Sequence, residues 1–156
     1  ALYGRSAGGH LALLHAAKRA DPSIRAVVAA YPVTDFDWSW DNPTNPLVVD
    51  SFGTITDYLG RRREDDPDLA VFRDASPIFH LTGAMPPTLL AHGWRDELVF
   101  LEQTRRFDAR LAEAGVPHLL IELPWATHGF EANLAGPGGQ LWSYAVERWL
   151  RRWLPQ

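Results

Sequence analysis

Short, unbroken apolar runs alternate along this chain with longer segments of helical period. Residues 26–31, closed by Pro32, read as a strand covered on both faces, residues 87–92 as a buried strand and residues 118–123 as another strand; residues 1–3 read as the tail of one more. Residues 7–19, 98–114 and 139–154 have the period of helices, with stops at Asp21-Pro22 and at Gly115 and Pro117. Strands separated by helices pair in parallel and are covered from both sides, so the expected class is α/β, a mostly parallel sheet with helices on both faces. The first helix carries Leu11, Leu14 and Ala17 on one face with Leu13 and Ala16 beside them, which predicts burial nearly all round.

One stretch breaks the alternation. Residues 33–80 are rich in Pro, Asp and Trp and hold only short helical pieces. One is expected over 51–59, ending at Gly60; another starts with Asp66 as N-cap and Pro67 at the first helical position and runs to Phe72. Trp38, Trp40, Phe52 and Tyr58 make this a cap-like insertion of about 36–80 rather than a linker. Its aromatics either line a pocket or form a small core of their own. The mixed-sign run from Arg61 to Asp66 reads as a solvated loop.

Composition removes several classes of partner. The 15 basic and 19 acidic residues leave a net charge of −4, which offers nothing to a nucleic-acid backbone. The longest apolar runs fall far short of the roughly 20 residues a membrane-spanning helix needs. With no cysteine, disulfides, thiolate nucleophiles and cysteine-ligated zinc are excluded. His92, Asp96 and His128 lack the spacing of a metal site, and no cofactor is expected.

The chemistry centres on Gly4-Arg5-Ser6-Ala7-Gly8, a G-x-S-x-G motif between a strand and a helix. A serine held on such a sharp turn needs glycine two positions away on either side to avoid clashes. The N–H of Ala7, opening the helix, then points to where an oxyanion forms. A serine hydroxyl also needs a base, and the base an orienting acid. His128 is the best base, in a Gly-flanked loop beyond the strand at 118–123. His10 and His15 lie on the first helix, His80 and His118 have no partner in sequence, and His92 ends a strand where it can only support the site. For the acid, Asp96 competes with Asp35, while Glu97 falls in an exposed turn; N-capping of the following helix is the rival role for Asp96. The order Ser6, Asp96, His128, each beyond a different strand, decides for Asp96.

Gly4 to Ala12 (GRSAGGHLA), His92-Gly93 with Asp96 and Val99, Thr127-His128-Gly129-Phe130, and Ala75-Ser76-Pro77 together resemble the esterase and lipase branch of the α/β-hydrolase superfamily. The likeness is to bacterial carboxylesterases of the hormone-sensitive-lipase and feruloyl-esterase-like groups. It implies Ser6 as nucleophile, His128 as general base and acid, Asp96 as the residue orienting His128, and Ala7 as one oxyanion-hole donor. The implied substrate is a small-molecule carboxylic ester; apart from the resemblance, a cytoplasmic location is expected. In that family an His-Gly-Gly-Gly-like loop on earlier strands completes the oxyanion hole. No such loop precedes Ala1, so the chain is expected to be the carboxyl-terminal half of such a domain, with its first strands absent. Two other readings stay open: a serine peptidase of the acylaminoacyl or prolyl-oligopeptidase type, and an inactive truncated fragment.

Overall fold

A computed structural model describes residues 1–155. Four parallel strands lie in the order of the chain: β1 (Leu2–Arg5), β2 (Val27–Ala30), β3 (Thr88–Gly93) and β4 (His118–Leu123). Their register sets Arg5 opposite Ala30, Ala30 opposite Ala91 and Gly93 opposite Leu123, so the carboxyl ends share one edge. Parallel strands need crossovers, and the helices supply them. These are α1 (Ala7–Arg19), the short α2 (Phe36–Asp41), α3 (Ser51–Leu59) and α4 (Ala70–Ala75), then α5 (Leu101–Glu113); α6 (Pro137–Trp153) follows the last strand.

The alternation of side chains along each strand divides the core. Val27, Ala29 and Leu90 face α1 and α5, where Leu13, Ala16, Phe107 and Leu111 close one layer. Val28, Ala30, Leu89 and Ala91 face α6 through Trp142, Val146 and Trp149. Both faces of β2 and β3 are therefore dry, as their unbroken apolar runs require. The indole-rich stripe of the last helix is a packing surface for the sheet.

Four expectations need correction. The first helix is buried on one side only, through Gly9, Ala12, Leu13 and Ala16, whereas Leu11 is 53% exposed. The reason is the sheet's position under the 9/12/13/16 stripe, which leaves the stripe through Leu11 outside. Asp66 does cap a helix, but from farther off: α4 begins at Ala70, and the buried carboxylate accepts from the N–H groups of Val71 and Phe72 across a turn at Leu69. It is thus not part of a solvated loop. The helix expected from residue 98 starts at Leu101, because residues 94–99 form a turn organised by Asp96.

The fourth concerns the glycines of the elbow. A Cβ on Gly4 would stand 2.1 Å from the Gly8 carbonyl oxygen, so glycine is obligatory there. A Cβ on Gly8 would meet nothing within 4 Å, whereas one on Gly9 would press at 3.3 Å on Ala30 and Pro32. The tight pair is Gly4 and Gly9, since α1 leaves the turn with Gly8 outward and Gly9 against β2.

Between β2 and β3, residues 33–80 form a small unit around Phe36, Trp40, Ile55 and Phe72. Trp40 meets Phe72 edge-on at 5.6 Å. Gln103 of α5 ties the base of this unit to the main layer. Its amide oxygen accepts from the N–H groups of Thr34 and Asp35, and its amide nitrogen donates to the Asp35 carbonyl and the Ser39 hydroxyl.

Candidate active site

Ser6 sits between the last residue of β1 and the first of α1, with φ 50° and ψ −122°. That left-handed backbone is strained for a residue with a Cβ. It is held by the Ser6 N–H on the Ala30 carbonyl and the Ser6 carbonyl on His10 N–H, both 2.9 Å. Serine at a helix start ordinarily turns its hydroxyl back to cap the first turn. Here it makes no capping bond, and Oγ lies 3.0 Å from His128 Nε2.

On the other side of the imidazole, Nδ1 lies 2.8 Å from Asp96 Oδ2. An ionised carboxylate only accepts, so Nδ1 carries the proton and Nε2 is left as acceptor for the Ser6 hydroxyl. Ser6, His128 and Asp96 thus form one continuous hydrogen-bonded chain drawn from three strand ends. Gly93 makes the convergence of two of them possible. A Cβ there would stand 2.2 Å from the Ala126 carbonyl oxygen, where the loop leading to His128 crosses the end of β3.

Asp96 does not cap α5, whose N-cap is Phe100, and its two carboxylate oxygens divide between a turn and the imidazole. Oδ1 accepts from the N–H groups of Leu98 and Val99 and so organises the turn; Oδ2 faces His128. His92, fully buried, adds a second contact to Oδ2 at 3.2 Å. Its Nε2 also donates to the Val99 carbonyl, which fixes the proton on that nitrogen, while Nδ1 accepts from the Thr104 hydroxyl. Burial works against ionising Asp96, yet the bonds from His128, His92 and Val99 outweigh it and hold the carboxyl well below the usual carboxylate range.

The remaining candidates lie elsewhere or in other duties. Asp35 caps α2 and pairs with Arg106 at 2.8 Å. Glu97 and His15 are exposed. His80 bonds the Asp74 carbonyl, and His118 lies between the Val116 carbonyl and Asp108. His10 lines the site: Nδ1 donates to the Val33 carbonyl and Nε2 accepts from the Tyr58 hydroxyl, each at 3.1 Å. Ala7 is the first residue of α1, so its N–H has no intrahelical acceptor, and it faces the same space as Ser6.

That space is a cavity of about 350 Å³. Leu11, Val33, Phe36, Ile55, Tyr58 and Phe100 give it an apolar wall, with Ser6 and His128 at one side. The aromatics of residues 36–58 therefore divide: Trp40 sits in the small core, Trp38 and Tyr58 at the cavity, and Phe36 serves both. Among the described residues no cluster of three His, Cys, Asp or Glu side chains is arranged to hold a metal ion. No helix among them is long and apolar enough to cross a membrane.

Two neighbours of the hydrogen-bonded chain were not visible in the sequence. Tyr31 lies under His128 with ring centroids 4.3 Å apart, and its hydroxyl bonds buried Glu131. Their separation of 100 positions leaves no local pattern. The only sequence signal is an acidic residue three positions beyond the candidate histidine.

A parallel sheet covered on both faces, with a serine on the strand–helix turn after β1, defines an esterase-type α/β-hydrolase domain. It aligns with an acetyl ester-xyloside bifunctional hydrolase from Caldicellulosiruptor lactoaceticus with a TM-score of 0.72 and 26% identity, over 96% of this chain and 55% of that one. The fold also matches the esterase Est2 of Thermogutta terrifontis, with a TM-score of 0.69 and 24% identity over 99% of this chain and 56% of that one. More narrowly, the chain belongs to the BD-FAE family, which matches residues 1–111. It is similar to the esterase LipC of Mycobacterium tuberculosis, 35% identical over 84% of this chain and 34% of LipC. The carboxylic ester hydrolase LipM (named as probable) of the same organism is 29% identical over 84% of this chain and 32% of its own length. The chain spans about a third of the length of these curated relatives. The expected fold class and the resemblance to bacterial esterases are both borne out.

Proposed function

We propose that this chain carries the nucleophile, base and acid of a carboxylic ester hydrolase that works through an acyl-enzyme on Ser6. The observation that carries the reading is the relay Ser6 Oγ–His128–Asp96, at 3.0 and 2.8 Å, with the serine hydroxyl free of any capping bond. His128 Nε2 takes the hydroxyl proton as Oγ attacks the ester carbonyl, and the imidazolium is stabilised by buried Asp96. The proton then passes to the leaving alcohol. In the second half-reaction His128 takes a proton from water as its oxygen adds to the acyl carbonyl, then gives that proton to Oγ as the acyl C–Oγ bond breaks and the carboxylic acid leaves. The N–H of Ala7 donates to the oxyanion in both steps, aided by the positive end of α1. Residues 36–80 act as a cap, and the apolar wall of the cavity receives the acyl group. The esterase names of the relatives favour an ester over a peptide bond.

The test is labelling with a fluorophosphonate probe alongside hydrolysis of p-nitrophenyl acetate, with Ser6→Ala as control. Labelling and turnover that both depend on Ser6 support the reading. A wild-type chain that neither labels nor turns over would refute it.

A further inference from the structure

The relay leaves one buried polar group unexplained. Glu131 is only 3% exposed, yet Oε2 has no hydrogen-bond partner. A buried carboxylate with an unsatisfied oxygen is costly, and an apolar residue of similar size would avoid that cost. Its other oxygen, Oε1, accepts twice: from the Tyr31 hydroxyl at 2.5 Å and from Arg5 Nη1 at 2.8 Å. Burial, then the bond to Glu131, push the Tyr31 phenol above its ordinary value, so it remains the donor. Tyr31 carries a second cost, a φ of 40° where a left-handed backbone disfavours a bulky side chain.

Both costs meet at one place. The Tyr31 ring packs on the His128 imidazole at 4.3 Å and on Phe130 at 5.5 Å. Arg5 adjoins Ser6, and Glu131 lies three residues beyond His128. The Arg5–Glu131 pair therefore ties the elbow bearing the nucleophile to the loop bearing the base, across 126 positions of sequence. Tyr31, anchored by its hydroxyl, forms the floor against which the imidazole rests. The loop is tethered at both ends, by Asp96 at His128 and by Tyr31 and Arg5 at Glu131, with Gly129 at φ 74° between them.

We infer that Glu131 and Tyr31 are positioning residues that hold His128 in line between Asp96 and Ser6. The inference rests on the ester-hydrolase reading for its consequence in rate, but its structural content does not. Neither residue touches the reacting atoms. Their loss lets the imidazole tilt out of the relay, and a misplacement of about 1 Å lowers rate by as much as about 100-fold.

The test uses the full chain with Tyr31→Phe, Glu131→Ala and Glu131→Gln. Three readouts are taken: the rate of Ser6 phosphonylation by a fluorophosphonate, kcat and KM for p-nitrophenyl acetate, and the ring proton and nitrogen resonances of His128. Phenylalanine keeps the ring and removes only its anchor; glutamine keeps an oxygen for Tyr31 and Arg5. Expected are falls of about 10-fold for Tyr31→Phe and up to about 100-fold for Glu131→Ala, carried by kcat with KM unchanged, and substantial rescue by Glu131→Gln. The His128 Nδ1 proton signal should broaden or vanish in the first two variants and persist in the third. Wild-type labelling rates and an unaltered His128 signal in Tyr31→Phe and Glu131→Ala overturn the inference. So does a loss that follows only the fraction of folded protein in a thermal melt. If the wild-type chain itself fails to label, the ester-hydrolase reading falls, and the His128 resonances alone decide the positioning role.

Discussion

Replacing Asp96 with asparagine separates the charge of this side chain from its shape. Four donors converge on the carboxylate: the N–H groups of Leu98 and Val99 at Oδ1, and the ring N–H groups of His128 and His92 at Oδ2. An amide offers one accepting oxygen and one donating nitrogen, so it serves half of that set. The turn fixes the two backbone donors, so the amide oxygen stays with them and the NH2 turns toward His128. Two N–H groups then face one another, and the imidazole relieves the clash by carrying its proton on Nε2. In that tautomer it has no lone pair for the Ser6 hydroxyl. The corresponding exchange in serine proteases lowers kcat by about 10⁴ with the geometry intact, which amounts to about 5.4 kcal/mol of barrier. Folding should suffer less, by about 1.5–3 kcal/mol for one charge-assisted bond, because His92 keeps the Val99 carbonyl. Phosphonylation kinetics at Ser6 measure the first effect, denaturant unfolding the second, and ring nitrogen resonances the tautomer. A folded Asp96→Asn chain that keeps about a tenth or more of the wild-type rate would refute the assignment of Asp96 as the orienting acid.

Other consequences are more local. Gly4→Ala forces a Cβ to 2.1 Å from a backbone oxygen and should abolish the folded chain or its labelling, whereas Gly8→Ala meets nothing and should stabilise α1 by up to about 1 kcal/mol in a thermal melt. Phe72→Ala empties the centre of the small core and should lower stability by about 3–5 kcal/mol, read by chemical denaturation. Leu11→Trp, on an exposed stretch of α1 that lines the cavity, should leave p-nitrophenyl acetate hydrolysis intact and lower kcat/KM for longer acyl esters. Burial lowers the His10 pKa below its ordinary 6.5, against the opposing bond to Val33. The stability that this neutral ring contributes is complete above pH 6.5 and is lost as pH falls toward the folded value. Melting temperatures should therefore drop more steeply on acidification below that point in wild type than in His10→Gln.

What could be read from the sequence follows from how each signal is stored. The two central strands were legible because burial on both faces demands unbroken apolar runs such as Val27 to Ala30; the outer strands β1 and β4 are less buried, yet the bounds of β4 match those expected. Parallel pairing then brings every carboxyl end to one edge, so Ser6, Asp96 and His128 had only to follow their strands to meet. Where the reading failed, one residue served two masters. Leu11 is apolar for the cavity and not for the core, so periodicity assigned α1 a face that the sheet does not cover. Asp66 lies in a run of charges whose net pattern says solvent, while its own carboxylate is taken by two backbone donors of α4.

The support beneath the imidazole was illegible for a different reason. A nucleophile elbow is a local object, built from residues within one turn of chain, and so it leaves a motif. Tyr31, Arg5 and Glu131 are joined only through space, at separations of 100 and 126 positions, and each has an ordinary role when read alone. Tyr31 looks like the last apolar residue of a strand, and Glu131 like a surface acid in a loop. Two departures from ordinary energetics reveal the connection: a tyrosine with φ 40° and a carboxylate oxygen buried without a partner. Strain of this kind survives when the surrounding structure over-determines it. Here the over-determination comes from the relay itself, since Asp96 fixes one edge of His128 and Ser6 the other. The third constraint, on the face of the ring, falls to Tyr31.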